Sequence, residues 1–167
     1  MRIILAVSLL LAAVHAEAQR FTVETVSDSL SFLVLRTDST TDRYRLAFPV
    51  YQWCEGDVDG DGTTEAIVGV VKTTRFDPVV ARRLWIFKNY RGHIRAMWMG
   101  SRLGGILEDF RFADGHVLTL QSTTDRRYAV VEHEWRKFGL GVTRFLARGV
   151  PLDEALEAFS PTATPSH

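Results

Sequence analysis

The chain has 167 residues, 46% of them hydrophobic, with 20 basic and 20 acidic side chains and no formal net charge. That length suits one domain with a sizeable core. The neutral balance removes the usual electrostatic reason to expect nucleic acid or an anionic membrane as partner.

Arg2, the apolar run from Ile3 to Val14, and Ala16-Glu17-Ala18 have the three-part layout of a secretory signal. Cleavage is expected after Ala18, so residues 1–18 read as a signal peptide and the remainder as a secreted or periplasmic protein. The apolar run is too short to span a bilayer comfortably. No Cys follows it to carry a lipid, so the mature protein is not expected to be membrane-anchored. Cys54 is the only cysteine, which excludes an intramolecular disulfide. It ends an apolar run and is expected to be buried as a small hydrophobe.

From residue 19 to 148 nearly everything reads as about ten short strands separated by turn chemistry. Phe21–Val26, Leu30–Arg36, Tyr44–Val50, Ala66–Lys72, Arg83–Lys88 and Ile94–Met99 come first. Ile106–Phe112, Val117–Gln121, Tyr128–Trp135 and Val142–Ala147 follow. Asp114-Gly115 between two β-patterned runs is the best single hairpin signal. The expected fold is all-β, an antiparallel meander with no alternating strand–helix units.

Ala66-Ile67-Val68-Gly69-Val70-Val71 and Leu84-Trp85-Ile86-Phe87 are apolar on both faces, as strands inside a layered structure must be. In Ile106–Phe112, by contrast, Ile106, Phe110 and Phe112 are expected on one face, with Asp109 and Arg111 on the other. The middle of the chain therefore reads as an inner sheet, and the C-terminal part as an outer one facing solvent. From 149 to 159, Pro151, Asp153 and Glu154, with Leu152, Ala155, Leu156 and Phe159 at helical spacing, predict a short amphipathic helix. Residues 160–167 read as a disordered tail.

The most informative segment is Gly56-Asp57-Val58-Asp59-Gly60-Asp61-Gly62-Thr63-Thr64-Glu65. Asp57, Asp59, Asp61 and Glu65 supply carboxylates at the first, third, fifth and ninth positions, and Thr63 a backbone carbonyl at the seventh. Carboxylates this close repel one another, and a hard divalent cation with six to eight oxygen ligands, Ca²⁺ above all, relieves the repulsion. An EF-hand is excluded, because Val68 stands where its bidentate Glu belongs and both flanks read as strands.

The stretch from Trp53 to Val71 resembles the Asp-x-Asp-Gly-Asp-Gly-x-x-Asp/Glu loop of FG-GAP and VCBS repeats, found in integrin-type β-propellers. That resemblance implies a Ca²⁺ loop joining two strands of a blade, with Asp57, Asp59, Asp61, Thr63 and Glu65 as ligands. It also implies two to three stacked blade-like sheets in place of a full ring. One sheet would run from Leu46 through the loop to Met99, and another from Ile106 to Ala147, with the N-terminal hairpin as a partial third. A barrel or sandwich is the alternative.

Other constellations carry less. Glu132-His133-Glu134 cannot converge, since alternation sends His133 to the opposite face, and a solvated strand face is the expectation. Gly100 to Gly105 reads as a link between sheets. Tyr90, Arg91, His93 and Arg95 could form a recognition patch.

The expected function is a calcium-stabilised β-repeat module that binds a protein or glycan ligand without catalysis and has scope for self-association. Two alternatives stand beside it. One is a cell-envelope hydrolase using the acidic loop. The other is a secreted inhibitor or assembly factor acting through the C-terminal helix.

Overall fold

The computed structural model describes residues 19–100 and 102–160. The expected signal peptide and nearly all of the expected C-terminal tail lie outside the described residues. Three antiparallel sheets follow one another along the chain, each a simple meander. The first holds β1 (Arg20–Ser27), β2 (Leu30–Arg36) and β3 (Thr41–Leu46). The second holds β4 (Val50–Gly56), β5 (Glu65–Thr74), β6 (Asp77–Tyr90) and β7 (His93–Met99). The third holds β8 (Ile106–Ala113), β9 (His116–Ser122), β10 (Tyr128–Arg136) and β11 (Gly139–Val150), and the chain continues into helix α1 (Leu152–Phe159). This is the expected all-β meander of stacked sheets, with no closed barrel among the described residues.

The alternation along β5 explains the layering. Ala66, Val68 and Val70, with Trp85 and Phe87 of β6, pack against Phe21, Leu33, Leu35 and Leu46 of the first sheet. Ile67, with Leu84 and Ile86 of β6, faces the other way, onto Leu107, Phe110 and Val117 of the third sheet. A strand with apolar residues on both faces is stable only between two partners. The second sheet is therefore the inner layer, as its sequence predicts. Gly69 on β5 makes that approach close: a Cβ there would lie 2.5 Å from the Tyr51 ring and 2.7 Å from the Phe110 ring.

Both ends of the stack are finished. On the first sheet, Glu24 bridges Arg36 at 3.1 Å and Arg43 at 2.8 Å, and Arg43 lies 4.5 Å over the Phe32 ring. On the third, Ala155 and Phe159 of α1 cover Leu118, Leu120 and Val130. The helix end is pinned by Arg111, whose Nε donates to the Phe159 carbonyl at 2.6 Å. The outer sheet is thus not solvated across its far face, contrary to expectation, because an eight-residue helix that cannot persist alone gains its stability by covering that face.

Two further expectations are corrected. The run Tyr44–Val50 is not one strand but the end of β3 and the start of β4, in different sheets. Pro49 at the break has no N–H for a ladder, and its carbonyl instead accepts from Val71 N at 2.9 Å. Ile106 does not share a face with Phe110: it is exposed, while Leu107 and Phe110 are both buried. A β-bulge between Leu107 and Asp109 inserts one extra residue and inverts the alternation on its N-terminal side. The Asp114-Gly115 turn is as expected, with φ of 52° and 78°, the doubly positive pattern of a tight hairpin.

Candidate metal centre

Gly56 pairs with Glu65 in the β4–β5 ladder, so residues 57–64 close a hairpin of the inner sheet. Alternation organises the loop. Val58 turns inward and is buried in the core between the second and third sheets, anchoring the segment. Asp57, Asp59 and Asp61 turn the other way and converge, with one carboxylate oxygen from each within 4.8 Å of the others. Gly60 and Gly62, at φ of 74° and 86°, let the backbone curl where a side chain would be strained.

Backbone amides hold the acids in place. Asp57 accepts from Gly60 N at 2.8 Å and from Gly62 N at 3.0 Å. Asp61 accepts from both the hydroxyl and the backbone N–H of Thr63, which hold its carboxyl below the usual range. Glu65 lies beneath, with no exposed surface; its Oε2 accepts from Val58 N at 2.8 Å. Burial, then the charges of Asp59 and Asp61, push its carboxyl up to about 7 despite that hydrogen bond.

Two oxygens are left over. Glu65 Oε1 and Asp59 Oδ1 are buried and lack any hydrogen-bond partner. A buried acceptor without a partner is costly and calls for an explanation. A hard cation would supply one, since an all-oxygen donor set suits a hard ion better than a thiophilic metal. Asp57, Asp59 and Asp61 would hold it, with Glu65 as the buried anion behind them. Of the five residues read from the sequence, three converge directly. Glu65 sits outside that converging triple, and Thr63 serves the loop through its N–H and hydroxyl on Asp61.

Three residues around the loop escaped the sequence reading. Lys88 of β6 places Nζ 3.2 Å from Asp59 Oδ2. Gln19, the residue after the expected cleavage point, donates from Nε2 to the Thr64 carbonyl at 2.6 Å. Its own Oε1 accepts from Asn89 Nδ2 at 2.9 Å. The available signal was Lys88 at the end of an inner strand, where a lone cation needs a partner.

Elsewhere, Glu132 and His133 do lie on opposite faces. Glu132 is buried rather than solvated, because Arg144 of β11 grips it through two hydrogen bonds of 3.1 and 2.9 Å. Cys54 is half-buried on edge strand β4, and burial pushes its thiol up to about 11, so little of it is thiolate at neutral pH. Among the described residues no helix is long and apolar enough to cross a membrane. Comparison with known protein families and with curated proteins finds no match.

Proposed function

We propose that this is an exported, non-catalytic binding module whose stacked sheets are braced by Ca²⁺ in the loop 57–65. The observation that carries the reading is the pair of buried, partnerless oxygens, Glu65 Oε1 and Asp59 Oδ1, beside three converging aspartates. The resemblance of this loop to FG-GAP and VCBS repeats supports the same ion. A protein or glycan ligand would be met at the loops joining the strands, where binding residues concentrate.

A hydrolytic role for the acids is disfavoured by their hydrogen bonds. Asp57 commits both oxygens to backbone amides, and Asp61 is held by Thr63. Glu65 titrates near neutrality, but it has no exposed surface with which to meet a substrate.

The test is thermal unfolding of the protein in EDTA, CaCl₂ and MgCl₂, with Asp59→Ala beside the wild type. Ca²⁺ at ten times its dissociation constant should stabilise by about 1.4 kcal/mol. For a domain of this size that raises Tm by about 3–6 °C. Asp59→Ala should abolish the shift, and an identical transition in EDTA and CaCl₂ overturns the metal reading. Screening the Ca²⁺-loaded protein against glycans and envelope proteins tests the ligand.

A further inference from the structure

A second site lies on the third sheet, away from the acidic loop. Three register shifts along the β10–β11 pairing twist the edge strand and curl the sheet. The curl leaves a cavity of about 360 Å³ over β9, β10 and β11, within the size range of small-molecule sites. Ala129, Val131, Val142 and Phe145 contribute its apolar lining, and Arg127 and Arg148 bring two cations against one acid, Asp125.

Beneath this lining runs a polar array that an ordinary sheet face would not contain. Gly105 N donates to Gln121 Oε1 at 2.7 Å, and Gln121 Nε2 donates to Thr119 Oγ1 at 2.7 Å. The Thr119 hydroxyl meets His133 Nε2 at 3.0 Å. All three side chains are buried, and Gln121 and His133 both line the cavity. His133 Nδ1 ends the array, buried and without a hydrogen-bond partner. Such a group costs stability unless something completes it. Burial holds the imidazole neutral, pushing it down to about 4, so the array adds no cation of its own beneath the lining.

The Arg side chains set the sign of the ligand. Arg127 spends Nε on the Gly149 carbonyl at 2.8 Å, leaving other donors of its guanidinium fork. Arg148 lies 4.8 Å over the Phe145 ring, so cation and aromatic wall form one surface. We propose that this cavity binds a small carboxylic acid with an aromatic or short acyl body. The apolar part lies on Val131 and Phe145, above the buried Gln121–Thr119–His133 array, and the carboxylate pairs with Arg148 and Arg127.

The experiment is a ¹H–¹⁵N NMR titration of the Ca²⁺-supplemented protein with 4-phenylbutyrate and octanoate, and with the uncharged 4-phenylbutyramide. Saturable shifts are expected at the amides of Gln121, Val131 and His133, with each acid binding at least tenfold tighter than the amide. The surface substitution Arg148→Glu should weaken both acids at least tenfold with the rest of the spectrum unchanged. His133→Gln, which keeps a buried polar group, should weaken them less. Absence of saturable binding by either acid at millimolar concentration overturns the proposal. So does equal binding of acid and amide, or an Arg148→Glu protein that binds like wild type.

Discussion

Lys88 Nζ sits 3.2 Å from Asp59 Oδ2, so the acidic loop has a resident positive charge from the neighbouring strand. Asp59, Asp61 and Glu65 together raise the Lys88 pKa, chiefly through the Asp59 hydrogen bond. The ammonium relieves part of the carboxylate repulsion when no metal is bound, and it opposes a divalent ion that enters. Lys88→Met should therefore lower stability in EDTA by about 0.5–1 kcal/mol, the scale of a partly exposed pair. It should tighten Ca²⁺ binding about three- to tenfold. Denaturant unfolding in EDTA measures the first and calorimetric Ca²⁺ titration of EDTA-stripped protein the second, and weaker Ca²⁺ binding would contradict this account.

Glu65 and His133 give pH dependences of opposite sign. Glu65 is raised from 4.5 to about 7, so the native state holds a proton that the unfolded state has lost between those values. Its contribution is full below pH 4.5 and is lost as pH rises through 7, by about 3 kcal/mol. His133 is lowered from 6.5 to about 4, so its contribution is full above 6.5 and is lost as pH falls through 4. The two slopes oppose each other across their shared window in EDTA. Glu65→Gln should unmask the acid loss, making stability fall from pH 6.5 towards 4.5 more steeply than in wild type. Saturating Ca²⁺, which favours ionised Glu65, should act in the same direction. Denaturant melts at half-unit pH steps check this, and parallel curves for variant and wild type would refute it.

Gly69→Ala tests the spacing of the layers. The added methyl would lie within 2.7 Å of both the Tyr51 and Phe110 rings, which pack edge-to-face at 6.1 Å. Two aromatic side chains wedged between sheets have little room to retreat. A loss of about 2 kcal/mol or more is expected, visible as a lower denaturant midpoint, whereas Gly60→Ala should act only through its positive φ.

Phe159→Ala tests whether α1 belongs to the core. Phe159 and Ala155 cover Leu118, Leu120 and Val130, so truncation should cost about 3 kcal/mol. Ending the chain at Gly149 should expose that apolar face and give an aggregating protein. A fully stable, monodisperse truncation would instead favour a helix held for a partner.

Local chemistry was legible wherever it was strong. The two-sided apolar run of β5 announced an inner sheet, and Asp114-Gly115 announced its turn. The alternate aspartates announced a converging cluster because the loop curls at Gly60 and Gly62. The failures arose where pairing overrode pattern. Tyr51-Gln52-Trp53-Cys54-Glu55 mixes polar and apolar residues because β4 is an edge strand, so its separation from β3 at Pro49 was hidden. The bulge near Glu108 inverted an alternation that looked regular in one dimension. Lys88 and Gln19 reach the acidic loop only because of sheet pairing and layer stacking, which no spacing along the chain reports. The His133 array was missed for the same reason: Thr119 and Gln121 come from a different strand.

The two finished ends of the stack also limit how far this architecture can grow. A layered β array with a bare greasy terminus invites another copy to continue the pattern, and repetition of that step yields fibres or closed rings. Here a charged Glu24–Arg36–Arg43 lattice terminates one side and a short helical plug terminates the other. The stacking direction of the described residues is consequently capped within a single polypeptide.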